Sequence, residues 1–414
     1  MHTPTDRGRF PRWMVLAVMA ALLSPAIGAD RPVLAQGGSG VRAEAAASGN
    51  YRELAVDQRQ KGSLYKVGEI LRDGQFKPGE QKLFDAYYKL YALARWSRVE
   101  NRDQLTKFRN DLSRDLKRPS KTNQVHDYLN ALALSYMENL AKPYPPGQCF
   151  HPAVRINAML MIGELNQIEP TPSVPPKPWS TALPVLLRTL NDSQQLDAVK
   201  VAALVGVLRH AELGAIESND AVKAVVAAMV EVLNAESDAA GSAVGHAWMK
   251  ARAANVLEFL GNPGDKAQAV AALAVVVADK SVPLSTRGAA AEALGALDYR
   301  QAGQIDVAPM TTALTGFAQE AIARESRKPR VSRRRLKQHL HAALKGMTAL
   351  AAADPKHQPA AAANSALSTM VEVIGNDRMS DADMLGQLSQ AMAGLRPAAA
   401  DDSDPTPPDV PPTG

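Results

Sequence analysis

The 414-residue chain is 46% hydrophobic, enough to bury a large core as one elongated domain or as two or three compact ones. Aromatic residues make up only 5%, so that core must come from the close approach of small side chains, which alanine-rich helices allow. A single cysteine, Cys149, excludes an internal disulfide and leaves only an intermolecular bridge, and the formal charge of +5 is that of a mildly basic protein.

Arg7, Arg9 and Arg12 precede an apolar run at 13–23, WMVLAVMAALL, and small residues follow with cleavage expected after Ala29 or Ala35. The run is shorter than the ~20 residues a spanning helix needs. Residues 1–35 therefore read as a signal peptide, and the expected destination is the periplasm or cell envelope. No cysteine follows to carry a lipoprotein anchor. The alternative is an uncleaved signal that tethers the chain to a membrane. Residues 36–50, rich in Gly, Ser and Ala, read as a flexible leader.

From Tyr51 onward the pattern is helical, with no alternating strand pattern flanked by hairpin dipeptides. Helices are expected over 51–71, 80–96, 102–116 and 123–141. The second carries Leu83, Phe84, Tyr87, Tyr88, Leu90, Tyr91 and Leu93, an aromatic stripe at helical spacing that reads as core. This aromatic block, 51–142, is expected to cap a helical array, because a terminal unit needs a different outer face.

After the break KPYPPG, repetition becomes visible over 143–395. VRINAMLMIG at 154–163 recurs as VKVAALVGVL at 199–208, KARAANVLEFLG at 250–261 and TRGAAAEALG at 286–295. Each copy sets a basic residue near its start, small residues a turn later, and then an apolar run. A helix at 152–165 leads into a proline-rich loop at 166–179, expected to be extended. Helix pairs follow near 180–191 with 196–209, 219–234 with 245–260, 265–278 with 284–297, and 306–323 with 332–351. A last pair lies near 363–375 and 380–394. Pro152, Pro184, Pro283 and Pro309 fall near helix starts, and Gly147, Gly214, Gly261 and Gly303 at helix ends.

Two units share a finer signature. Asp192 is followed by Lys200 and Ala203, and Asp279 at the same spacing by Arg287 and Ala290. With the V-[RK]-x-x-A pattern at 154–158 and 199–203, this resembles the HEAT repeats, an armadillo-like α-solenoid family, over roughly 150–350. The units at 250–261 and 332–351 depart from it in lacking a turn Asp. The resemblance implies an all-α fold, a right-handed α–α superhelix with a helical N-terminal cap, in which Ala158, Ala203, Ala254 and Ala290 allow close helix approach. It also implies that the Asp–Arg/Lys pairs form a ladder between repeats, and that the job is protein binding rather than catalysis.

Candidate chemistry is sparse. His210 with Glu212, and His339 with His341, sit two apart and do not share a helix face as a metal-binding pair would. Cys149 and His151 flank Phe150 in a loop and read as incidental. No nucleotide-binding glycine loop, nucleophile elbow or paired metal-carboxylate motif occurs. No catalytic residue, cofactor or metal is assigned, and the expectation is a scaffold without catalysis of its own. The alternative is an envelope hydrolase whose site is assembled from distant residues on the concave face.

Charge is unevenly placed. Without residues 1–35 the formal charge falls to +3. The stretch 324–337, RESRKPRVSRRRLK, carries a local +7, and 397–414 carries a local −4 through Asp401, Asp402, Asp404 and Asp409. The remainder is close to neutral, and 396–414 reads as a disordered acidic, Pro-rich tail. Arg333, Arg334, Arg335 and Lys337 open a long helix whose buried stripe is Leu336, Leu340, Leu344 and Met347. Cations at that end oppose the helix dipole, at a cost of a few tenths of a kcal/mol each, roughly. These four are the candidate binding residues, for a protein partner or for an anionic polymer or membrane surface. Nucleic acid is the least favoured partner, since no aromatic platform interleaves the basic residues. The acidic tail is expected to be able to pair back onto 330–337.

Overall fold

The computed structural model describes residues 51–118, 123–145, 147–236 and 242–393. The proposed signal peptide, the leader and the acidic tail lie outside the described residues. Fifteen α-helices occur within them. The first four are α1 (Leu64–Asp73), α2 (Glu80–Tyr87), α3 (Leu105–Lys117) and α4 (Gln124–Ala141). Then come α5 (Pro152–Glu164), α6 (Ala182–Asn191), α7 (Asp197–Glu212), α8 (Asn219–Asn234) and α9 (Ala243–Leu260). The last six are α10 (Gln268–Ala278), α11 (Leu284–Leu294), α12 (Ala308–Ser326), α13 (Arg333–Ala353), α14 (Gln358–Gly375) and α15 (Asp381–Ala393).

The N-terminal third departs most from the expected helices. Residues 51–57 are extended, because their polar groups find partners outside any helix. The Arg52 amide donates to Cys149 O, the Asp57 amide to Leu90 O, and the Leu54 amide to Ser97 Oγ. The segment expected to be helical over 80–96 breaks into α2, a π-turn at Tyr88–Ala92 and a 3-10 turn at Ala94–Ser97. Its stripe is nonetheless core: Phe84, Tyr87, Tyr88 and Leu93 are buried, while Leu90 stays exposed.

Helix starts follow side-chain chemistry. Asn123, His151, Ser218, Ser242, Ser332 and His357 each accept a hydrogen bond from a first-turn amide of the helix that follows. The four glycines expected at helix ends all take positive φ, and Gly261, at 64°, closes α9 with its amide on Leu257 O. The proline loop holds a short antiparallel pair, β1 (Asn166–Ile168) with β2 (Lys177–Pro178), against the expectation of no strand. Strands this brief leave no alternating pattern to read.

Helices pack with their neighbours in sequence: α4 with α5, α6 with α7, α8 with α9, α10 with α11, and α12 with α13. They also pack with the next helix but one. The second members α5, α7, α9, α11 and α13 lie side by side, as do α6, α8, α10 and α12, giving two layers over one apolar core that runs from Val67 to Met392. Ala158, Ala203, Ala254 and Ala290 are fully buried in it, as their small size suggested. One close approach is at Gly163 of α5 and Gly206 of α7. A Cβ on Gly163 would stand 2.8 Å from Gly206 Cα.

Among the described residues no ion pair of the expected Asp–Arg/Lys ladder joins Asp192 to Lys200 or Asp279 to Arg287, although after the Ser281 hydrogen bond Lys250 and Arg287 also help to lower the Asp279 pKa. Asp192 and Asp279 turn inward on their own loops, accepting from the amides of Gln194 at 2.8 Å and Ser281 at 2.9 Å. Arg287 is 1% exposed, and its Nε donates to Val277 O at 2.8 Å, near the end of α10. Its Nη1 meets Glu320 of α12 at 2.5 Å, in the next unit. Arg155, also buried, repeats this arrangement: Nε donates to Ala141 O at the end of α4, and Nη2 donates to Gln195, ahead of α7. The short carboxylates are taken by local turns, so the long guanidinium instead satisfies a helix-end carbonyl and the following unit.

Candidate functional site

A groove of about 420 Å³ crosses α9, α11 and α13 on the layer formed by the second helices of the pairs. Trp248, Arg252 and Asn255 come from α9, Glu292 from α11, and Gln338 and His339 from α13. Trp248 and Arg252 are four apart on one helical face. The Arg252 guanidinium lies 5.1 Å from the Trp248 ring centre and donates to Asn255 Oδ1 at 3.2 Å. The floor is tied by Thr286 Oγ1, which donates to Ala247 O at 3.1 Å and joins α11 to α9.

Burial sets the charge state of this groove. Desolvation is the main pull on His339, holding its pKa below the usual 6.5, with Arg335 and Lys328 acting the same way against Glu325. The imidazole is therefore neutral at pH 7, and it packs edge-on to Phe317 at 5.8 Å. Glu292 is pushed up, chiefly by burial and further by Glu258, with Lys345 opposing. Lys345 is held by Glu258 at 2.6 Å. The groove thus offers an aromatic–guanidinium platform, two amides, a carboxylate and a neutral imidazole. That set is suited to reversible recognition of a polar chain with an apolar side.

A second groove, about 330 Å³, lies in the N-terminal region among Tyr91, Arg95, Arg98, Glu100 and Phe108. Its cations are engaged: Arg95 stacks 4.3 Å from Phe108, and Arg98 pairs with Glu53 at 2.8 Å. Between the grooves a buried polar network ties the proline loop to the helices. Arg209 Nη1 donates to Gly163 O at 3.1 Å and Nη2 to Asn166 Oδ1 at 2.5 Å. The Asn166 amide donates to Glu169 at 2.8 Å, and Glu169 stands 3.7 Å from buried His126.

The candidate residues of the basic stretch separate into two groups. Arg333 is a clamp: its guanidinium pairs with Asp381 at 2.7 Å and donates to the carbonyls of Asn376 and Met379. Arg335 reaches Glu325 at 3.4 Å, a carboxylate 3% exposed that also takes Lys328 and the Ser332 amide. Arg334 and Lys337 point to solvent with no ion pair among the described residues. The same helix start therefore holds two structural cations and two free ones.

The remaining candidates have local structural roles. His151 Nδ1 accepts from the Ala153 amide at 3.1 Å, and its ring meets Tyr51 edge-on. Cys149 Sγ donates to Tyr144 O at 2.5 Å. His210 is fully buried and donates from Nδ1 to Gly206 O at 2.8 Å. Among the described residues no group of three His, Cys, Asp or Glu side chains is placed to share a metal ion, and no helix is long and apolar enough to cross a membrane.

Sequence reasoning missed the groove residues. Their one signal was the i, i+4 placement of Trp248 and Arg252 in an otherwise aromatic-poor array. Comparison with protein-family models, with curated proteins and with solved structures gives no match to this chain.

Proposed function

We propose that this protein is an exported, non-catalytic scaffold of HEAT-like α-solenoid architecture that holds a protein partner in the periplasm or cell envelope. The observation that carries the reading is the groove itself: three successive helices of one layer present Trp248, Arg252, Asn255, Glu292 and Gln338 to one strip of surface. A stacked array yields such a strip because each added unit extends the same face. The partner segment lays an aromatic or aliphatic side against Trp248 and offers a carboxylate or carbonyl to Arg252. Export rests on the basic and apolar pattern of residues 1–35.

The test is capture from envelope extract followed by mass spectrometry, using wild type, Trp248→Ala with Arg252→Gln, and Arg334→Gln with Lys337→Gln. A protein held by wild type and the basic-stretch variant but lost from the groove variant supports the reading. Loss only from the basic-stretch variant moves the site to α13, and recovery of no protein by any form overturns the scaffold. Circular dichroism of each variant separates lost binding from lost folding. A periplasmic product lacking 29 or 35 residues, measured by mass, checks export.

A further inference from the structure

Where the turn after α12 enters α13, Arg327, Arg330, Arg334 and Lys337 are exposed and make no ion pair among the described residues. Their basic neighbours are committed. Arg324 is on Glu320 at 2.5 Å, Arg333 is on Asp381 at 2.7 Å, and Lys328 and Arg335 share Glu325. The turn folds around that one buried carboxylate, whose other oxygen takes the Ser332 amide at 3.1 Å. Arg334 and Lys337, three apart, lie on one face of the first turns of α13. The helix dipole adds positive potential at the same end. The turn and the first turns of α13 thus carry four exposed, uncompensated positive charges.

A complementary segment lies further along the same chain. α15 begins at Asp381, in contact with Arg333, and ends at Ala393, about 18 Å further along at ~1.5 Å per residue. Beyond it come Asp401, Asp402, Asp404 and Asp409, with Arg396 the only base. An extended chain covers about 3.3 Å per residue, so Asp401 has roughly 26 Å of reach from the end of α15 and Asp409 about twice that. The end of α15 lies no further from the Arg333–Asp381 contact than the helix's own length, about 18 Å, and the reach to Asp409 is more than twice that. Prolines at 405, 407, 408, 411 and 412 reduce the entropy that an extended docked segment gives up. A single exposed pair is weak, but a short tether supplies an effective concentration on the order of mM, and several pairs act together.

We propose that residues 401–409 dock on Arg327, Arg330, Arg334 and Lys337 of the same molecule and compete there with external polyanions. This inference is independent of the partner assigned to the groove. The latch is electrostatic, so it weakens as salt rises, and an anionic ligand must displace the tail to bind.

Zero-length carbodiimide coupling of the full chain tests it, on an equal mixture of unlabelled and nitrogen-15-labelled protein. Same-isotope crosslinks from the Lys337 amine to Asp401, Asp402, Asp404 or Asp409 are expected at low salt. They should disappear at about 0.5 M salt, where the screening length is only a few Å. Asp401→Asn, Asp402→Asn, Asp404→Asn and Asp409→Asn together should remove the crosslinks and raise affinity for heparin about tenfold at low salt. Adding Arg334→Gln and Lys337→Gln to that variant should cancel the gain. Mixed-isotope crosslinks, tail crosslinks only to other lysines, or a heparin affinity unchanged by the four Asn substitutions would each overturn the proposal.

Discussion

The N-terminal region and the helical array solve the same packing problem with opposite side chains. In the first, rings do the filling. Phe76, Phe84 and Tyr128 meet edge to face at 5.3 to 6.2 Å, Trp96 is 1% exposed, and Tyr88 buries its hydroxyl on Asp115 at 3.0 Å. In the second, Ala158, Ala203, Ala254 and Ala290 take the central positions, and Gly163 touches Gly206. Rings bury much apolar area per residue, and here they stand beside an irregular stretch, the π-turn at Tyr88–Ala92. Small residues bury little each, yet they let regular helices come close enough to stack repeatedly.

Substitutions should divide along this line. Trp96→Ala removes the largest buried ring of the N-terminal region and is expected to cost about 3–5 kcal/mol. Urea unfolding measures the loss, and hydrogen exchange should place it mainly before residue 142. Arg287→Ala is expected to cost about 3 kcal/mol in the array, by orphaning Val277 O and unlinking two units. Glu320 keeps Arg324 at 2.5 Å, which holds the effect at the low end for a buried charge. A cost below ~1 kcal/mol would show that the guanidinium contact is incidental to stacking.

A smaller effect tests close approach itself. Gly163→Ala forces a Cβ against the backbone of α7 and should cost about 1–3 kcal/mol. Gly316→Ala, mid-helix with open space around its Cβ position, should instead stabilise by about 0.5–1 kcal/mol. If the two changes have the same sign, helix spacing is not set at Gly163.

Acid should separate the regions as well. Burial is the largest influence on His126 and lowers its pKa, but Glu169 and Asp127 together raise it above 6.5. Its contribution to stability is complete below the unfolded value and is lost as pH rises through the folded one. His210 and His339, in the array, are lowered mainly by burial. They subtract stability as pH falls from about 6.5 toward their folded values. Amide exchange compared at about pH 7 and pH 5 should therefore accelerate in the array relative to α4. His126→Gln should erase the relative protection of α4. The smallest effect is at the surface: a double-mutant cycle on Glu258 and Lys345 should return about 0.2–1 kcal/mol, decreasing with salt.

Legibility differed between the regions for a physical reason. Array helices announced themselves because apolar periodicity, prolines at starts and glycines at ends all agree, so α6 to α15 fall close to their expected places. The segment 51–104 did not: its aromatic stripe fits one continuous helix by spacing, whereas the chain there takes a short α-helix, a π-turn and 3-10 turns. The basic stretch was visible as charge, but its division into clamps and free cations depends on Asp381 and Glu325, and Asp381 lies far along the chain. The groove was not legible: Trp248, Glu292 and Gln338 share no motif and meet only because α9, α11 and α13 are adjacent.

Spacing within a few turns was enough to set the all-α class, the helix pairs and the burial of the small residues. The neighbouring units set which helix-end carbonyls Arg155 and Arg287 bind, which cations stay free, and where the groove opens. Those outcomes depend on which groups a neighbouring unit presents within about 3 Å, a range at which hydrogen bonds form and which sequence distance does not encode.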